Sequence, residues 1–315
     1  SSAASDVYKR QILDSGKSAL DMALYILLPI MVIMLALMKL LEAKGVLAFV
    51  SNILAPVSRI FGIPGIGIFA MIKLLFVSFA APMASLSLMD KSSISSRYIA
   101  STMAMVFCMS QANATFPLAA MGLDLSVTLA SSVIGGLSAS AFTYYLLTRN
   151  FTAPPQNETP LEVTDPKENE TVVQILNKGG QDGVKIVLGM LPMLILAIFL
   201  VNVLNQTGVI TWISYILAPA LALIGLPEST VLPIVTKFIA GGTAFMGVTI
   251  DLMNQGLISA QELNRMAGFV TNPLDVLGVA LYAALGKRIN SVIRYAIYGA
   301  LFGITVRSCI HLVIY

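Results

Sequence analysis

Of the 315 residues, 57% are hydrophobic and 11% charged, with a mean hydropathy of +0.85, whereas a soluble domain carries about 25% charged residues. That balance excludes an ordinary soluble domain and defines a polytopic membrane protein, since about 20 apolar residues span a bilayer as a helix. A net charge of +3 leaves no nucleic-acid footprint, and Cys108 and Cys309, both inside apolar runs, read as buried free thiols.

Ser1–Gln11 is polar, unlike the apolar run beyond it, and reads as a non-native scar within an N-terminal tail, 1–18. Residues 19–41 predict a spanning helix with a kink at Pro29. Residues 43–62 hold Lys44, Asn52, Ser58, Arg59 and a central proline, too polar to span and suited to a helix in the interface. Residues 65–89 are long enough for one span, but Lys73 sits near their middle and Ser78–Pro82 breaks them. Two half-helices joined there would form a re-entrant hairpin, which is tolerated where protein or a water-filled cavity covers the backbone. Residues 97–121 predict a span interrupted by Ser110–Thr115 and Pro117. Residues 124–148 predict a helix whose Gly135, Gly136, Ser138, Ala139 and Ser140 suit close packing. A polar linker, 150–182, carries two Asn-x-Ser/Thr matches at Asn157 and Asn169.

The order then repeats: 183–205 span, 207–225 interfacial helix, 229–254 hairpin or span, 263–285 broken span and 290–315 span. Ser51–Pro64 (SNILAPVSRIFGIP) returns as Ser214–Pro227 (SYILAPALALIGLP), with seven of fourteen positions identical at an offset of 163. Leu88–Ser95 and Leu252–Ser259 continue the match one residue later. This is an internal duplication, 19–149 and 183–315.

Charge bears on how the halves are related. The segments flanking 65–89 hold Lys44, Arg59, Lys91 and Arg97, whereas their counterparts around 229–254 hold only Arg265. Opposite Lys/Arg bias in equivalent segments predicts opposite sides of the membrane. The expectation is therefore two inverted halves with re-entrant hairpins, although two spanning segments and parallel halves stay open.

In inverted-repeat transporters, substrates bind near the midplane at broken helices. The candidates here are Ser110, Gln111, Asn113 and Thr115 in the first break, and Thr271, Asn272 and Asp275 around Pro273 in the second. Amides and hydroxyls there suit a polar, weakly charged solute, and Asp275 is the carboxylate that could carry a proton or help to bind a cation. Lys73 and Lys237 occupy corresponding places in apolar runs, where an ionisable group is costly and points to function. The competing reading is that these groups cap broken helices, bond one another, or snorkel to an interface. Enzyme chemistry is not expected: His311 is the only histidine, and no phosphate loop, G-x-S-x-G or H-E-x-x-H occurs.

The duplicated ILAP helix and Ser110–Pro117 (SQANATFP) resemble the nucleoside-recognition, or Gate, family, which includes spore maturation proteins A and B. Related segments occur in concentrative nucleoside transporters and ferrous-iron transporter B. The resemblance covers roughly 19–148 and 183–315; Asn113-Ala114-Thr115 with Pro117 matches the spore maturation branch, while the second half departs from it with Asn272-Pro273 and Asp275. It implies an inner-membrane, multi-pass transporter-like protein moving a small polar solute, nucleoside-like by resemblance only. No cofactor is expected beyond sodium or proton coupling. The rival class is a non-transporting scaffold or partner subunit in envelope or spore assembly, and both classes admit a homo-oligomer or a partner membrane protein.

Overall fold

The computed structural model describes residues 2–151 and 170–315. Asn157, Asn169 and most of the expected linker lie outside them. Every regular element among the described residues is helical.

α1 (Ser2–Asp21) continues through a π-turn at Met22–Leu27 into α2 (Leu28–Ala43) as one helix of 42 residues. The segment read as a tail is thus helical from Ser2. Its polar groups find partners on α9 (Val172–Gln206), where Gln11 bonds Gln206 and Asn202 Nδ2 donates to Ser15 Oγ at 2.9 Å. The disturbance expected at Pro29 takes the form of that π-turn, which ends just before the proline.

The duplication is visible in the backbone. α3 (Val46–Ile60) and α10 (Val209–Leu223) each have 15 residues, and each follows a left-handed glycine, Gly45 at φ 75° and Gly208 at φ 82°. Each is followed by a second left-handed glycine, Gly62 at φ 80° and Gly225 at φ 73°. A side chain in that conformation costs roughly 1–2 kcal/mol, and at Gly62 a Cβ would also lie 2.5 Å from the Tyr144 ring, while at Gly208 it would meet nothing within 4 Å. Gly62→Ala is therefore expected to lower the melting temperature of detergent-purified protein clearly more than Gly208→Ala. Equal losses would mean that the Tyr144 contact does not matter.

Both segments that were ambiguous between hairpin and span are broken, the first at the stretch expected for it. Between α3 and α4 (Gly65–Phe76) the chain bends by 109°, and α5 (Met83–Lys91) follows a turn at 77–82. In the second half a short 3-10 turn, Glu228–Thr230, leads into α11 (Val231–Asn254), whose helix is interrupted at Gly241 with φ 87° and ψ 179°. That left-handed value suits glycine alone, so the break is written into the sequence at this residue. The broken spans are α6 (Ser96–Cys108) with α7 (Ala112–Ala119), and α12 (Ala260–Val270) with α13 (Val276–Ala283). α8 (Leu125–Phe142) runs on through a π-turn at Thr143–Leu147, and α14 (Lys287–Ile314) ends the chain. Among the described residues, five helices are long and apolar enough to cross a membrane: Ser2–Ala43, Leu125–Leu147, Val172–Gln206, Glu228–Asn254 and Lys287–Ile314. The protein is an all-helical, multi-pass membrane protein.

Two hydrophobic cores interlock. One joins Ala19, Leu27 and Met31 of the N-terminal helix, and Ala114 and Leu118 of α7, to the second half's α9–α12. The other joins the first half's α4–α6 to Tyr282 of α13 and Ala296 and Ala300 of α14. Each half therefore sends part of its broken span or its last helix into the other's core, which brings the two breaks together. The small residues of α8 serve the close approach predicted for them: a Cβ on Gly303 of α14 would lie 2.4 Å from Gly135 O.

Candidate functional site between two broken helices

The chain leaves helical geometry at Met109–Gln111 and again at Thr271–Asp275, freeing backbone groups that must be satisfied elsewhere. The breaks satisfy each other: Gln111 N donates to Thr271 O at 2.9 Å, and Gln111 Nε2 to Asn272 O at 3.4 Å. Gln111 and Asp275 hold the N-cap positions of α7 and α13, and Asp275 Oδ1 accepts from Gly278 N at 2.7 Å.

Beneath the breaks lies Arg307 of α14, fully buried. Its guanidinium donates to Cys108 O at 2.7 Å, Ser110 Oγ at 2.6 Å and Thr271 Oγ1 at 3.0 Å, so one side chain touches both breaks. The carbonyl of Cys108 belongs to the last turn of α6, whose dipole favours a cation. No carboxylate among the described residues pairs with Arg307.

Asn113 faces the other way and joins the two interrupted segments. Its Oδ1 accepts from Phe79 N at 3.0 Å in the 77–82 turn, and its Nδ2 donates to Thr243 Oγ1 at 3.0 Å just beyond the Gly241 break. Tyr282 of α13 donates its hydroxyl to Phe79 O, so that turn is held by both broken spans. Lys237 of α11 is fully buried and donates to Asp275 Oδ2 at 2.5 Å and to Leu274 O at 3.5 Å.

These elements enclose a cavity of about 170 Å³. Its apolar walls include Phe79, Met83, Leu194, Leu277 and Leu281, and its polar groups include Gln111, Thr243 and Asp275. The backbone of Ala240–Gly242 forms part of the wall, so a ligand would meet main chain directly at that break. Asp275 is the one formally charged side chain among the lining residues, and Lys237 behind it neutralises it. The cavity is therefore electrically balanced, amphipathic and small beside the roughly 300–1,000 Å³ of drug-sized pockets.

Of the predicted site residues, Gln111 and Asp275 line the cavity, Asn113 fixes its two turns, and Lys237 holds Asp275. Ser110 points to Arg307 and Ser132, Thr115 bonds Gln111 O within its own helix at 2.7 Å, and Asn272 caps its own loop through Phe269 O and Leu274 N. Lys73 is placed apart from the others, 5.9 Å from the centroid of the Phe69 ring. The sequence reading missed Arg307, Tyr282 and Thr243. Arg307 was within reach of it, because an arginine inside the apolar run 290–315 is the kind of intramembrane charge that signals a site.

Two duplicated halves, two broken spans and a cavity between the breaks define an all-helical membrane fold built around discontinuous helices. Residues 187–292 match the family model for Gate, described as nucleoside recognition, so the predicted resemblance holds in the second half. Spore maturation protein B of Bacillus subtilis (strain 168) is 26% identical over 130 residues, 40% of this chain and 72% of that protein. The fold is similar to CNTnw in an inward-facing substrate-bound state, with a TM-score of 0.66 at 13% identity over 99% of this chain and 84% of that one. A CNTnw variant in its intermediate 2 state gives 0.68 at 16% identity, over 91% and 74%.

Proposed function

We propose that the protein is an inner-membrane transporter for a small, uncharged, amphipathic solute bound between the two breaks. The observation that carries this reading is the electrically balanced cavity, with apolar walls and with Gln111, Thr243 and Asp275 as its polar groups. Apolar walls take the face of a ring or alkyl group, and a few convergent polar groups fix its orientation. A nucleobase or nucleoside-like solute has that chemistry, and the nucleoside-recognition description of the family model matching residues 187–292 supports the choice. The two halves would be inverted repeats, with 65–91 and 228–254 as re-entrant hairpins whose movement opens the site to one side at a time. Sodium or a proton would drive uphill movement.

Purified protein should be screened by thermal stability against nucleosides, nucleobases and small polar metabolites, with and without sodium. A ligand that binds only the folded state raises the melting temperature by mass action. Gln111→Ala should weaken the effective ligand about tenfold, the worth of roughly one hydrogen bond, and uptake into proteoliposomes should fall with it. If no solute shifts the melting temperature and none is taken up, the protein is instead a membrane scaffold or partner subunit.

A further inference from the structure

The corresponding lysines of the two halves have parted. Lys237 reaches the second break and is fully buried against Asp275 and the Leu274 carbonyl. Lys73 stays partly exposed beside Phe69, and the first break has Gln111 at the N-cap where the second has Asp275. Around the Lys237 ammonium stand the Asp275 carboxylate oxygen and the Leu274 carbonyl oxygen, both in the unwound stretch between α12 and α13. Carbonyl oxygens of unwound backbone between half-helices are among the donors that discontinuous-helix proteins use for sodium.

We propose that Lys237 is a tethered cation: its ammonium fills a site for a small monovalent cation between the first arm of α11 and the 271–275 break. A covalently attached charge cannot diffuse away, so the Asp275 carboxylate keeps its counter-charge and that position takes up no mobile ion. Any coupling ion must then act elsewhere in the protein. This inference stands apart from the transport reading, because it concerns an ion site and is tested without solute.

Lys237→Ala removes the stem and the charge, leaving space beside an unpaired carboxylate. Lys237→Met removes the charge but keeps the space filled, and Lys237→Ala with Asp275→Asn leaves space without the charge. Each form is melted in sodium chloride or ethylammonium chloride against choline chloride at equal ionic strength. The Lys237→Ala protein is expected to gain a saturable rise of about 5 °C at a hundredfold excess over the dissociation constant. The parent, Lys237→Met and the double variant should lack that added response. Should Lys237→Ala not survive purification in choline, folded protein is expected to return when ethylammonium is present during solubilisation. A folded Lys237→Ala protein that responds to cations no more than the parent overturns the proposal, and so does failure to recover it in ethylammonium. Either result would leave the pair as an ordinary buried ion pair.

Discussion

Arg307→Met is expected to loosen both chain breaks at once, speeding amide hydrogen exchange at Met109–Ala112 and Thr271–Asp275 at least tenfold. Tenfold corresponds to about 1.4 kcal/mol of local stability. Two opposing terms decide the global effect. The variant loses three charge-assisted hydrogen bonds, worth roughly 1.5–3 kcal/mol each. It also releases a buried cation with no carboxylate partner, whose desolvation costs several kcal/mol. These largely offset, so overall stability should fall by only about 1–3 kcal/mol, well below that gross loss. The local effect does not cancel, because methionine supplies nothing to hold Cys108 O, Ser110 and Thr271 in one place. Arg307→Lys should behave like Arg307→Met, since an ammonium lacks the planar fork that reaches three acceptors. Unchanged exchange at both breaks in Arg307→Met would show that the Gln111–Thr271 backbone bond alone sets their register.

The second large effect is expected at Gly303. A Cβ there would lie 2.4 Å from Gly135 O and 2.6 Å from Cys108 Sγ, and backbone on the facing helix cannot swing aside as a flexible side chain can. Gly303→Ala should therefore cost about 1–3 kcal/mol as α8 and α14 are pushed apart, and Gly303→Leu should leave little folded protein. Gly16 is the control, since a Cβ there meets nothing within 4 Å; Gly16→Ala should be neutral or gain up to about 1 kcal/mol from helix propensity. Melting curves of the three variants test the comparison. A Gly303→Ala protein as stable as the parent would mean that the two helices do not depend on this contact. The same closeness lets Arg307 reach the breaks, because a Cβ on Gly135 would meet Arg307 Cγ at 2.3 Å.

Much of this arrangement could be read from the chain because it depends on local chemistry. Proline and short polar side chains interrupt helices by local chemistry, so Ser78–Pro82, Ser110–Pro117 and Thr271–Asp275 announced their own interruptions. The repeat supplied a second reading of each element, and the paired left-handed glycines around α3 and α10 follow from it. The pairing across elements was hidden. Nothing in periodicity tells that Lys237 meets Asp275 while Lys73 lies beside Phe69, or that Asn113 spans two turns, because those contacts depend on how the halves interlock. The N-terminal helix was hidden for a related reason: Gln11 and Ser15 look like tail residues until Gln206 and Asn202 of α9 are placed opposite them.

The neutral pair at the second break also determines how that region meets an electric field. A potential of 100 mV does about 2.3 kcal/mol of work on one elementary charge carried across the membrane. Lys237 and Asp275 travel together as zero net valence, so voltage neither drives nor resists their displacement. Arg307 is different: its charge has no carboxylate partner among the described residues, so any excursion of α14 along the membrane normal would register as gating current. If α14 stays fixed while the Lys237–Asp275 pair shifts with the second break, that displacement carries no net charge in the absence of a mobile ion.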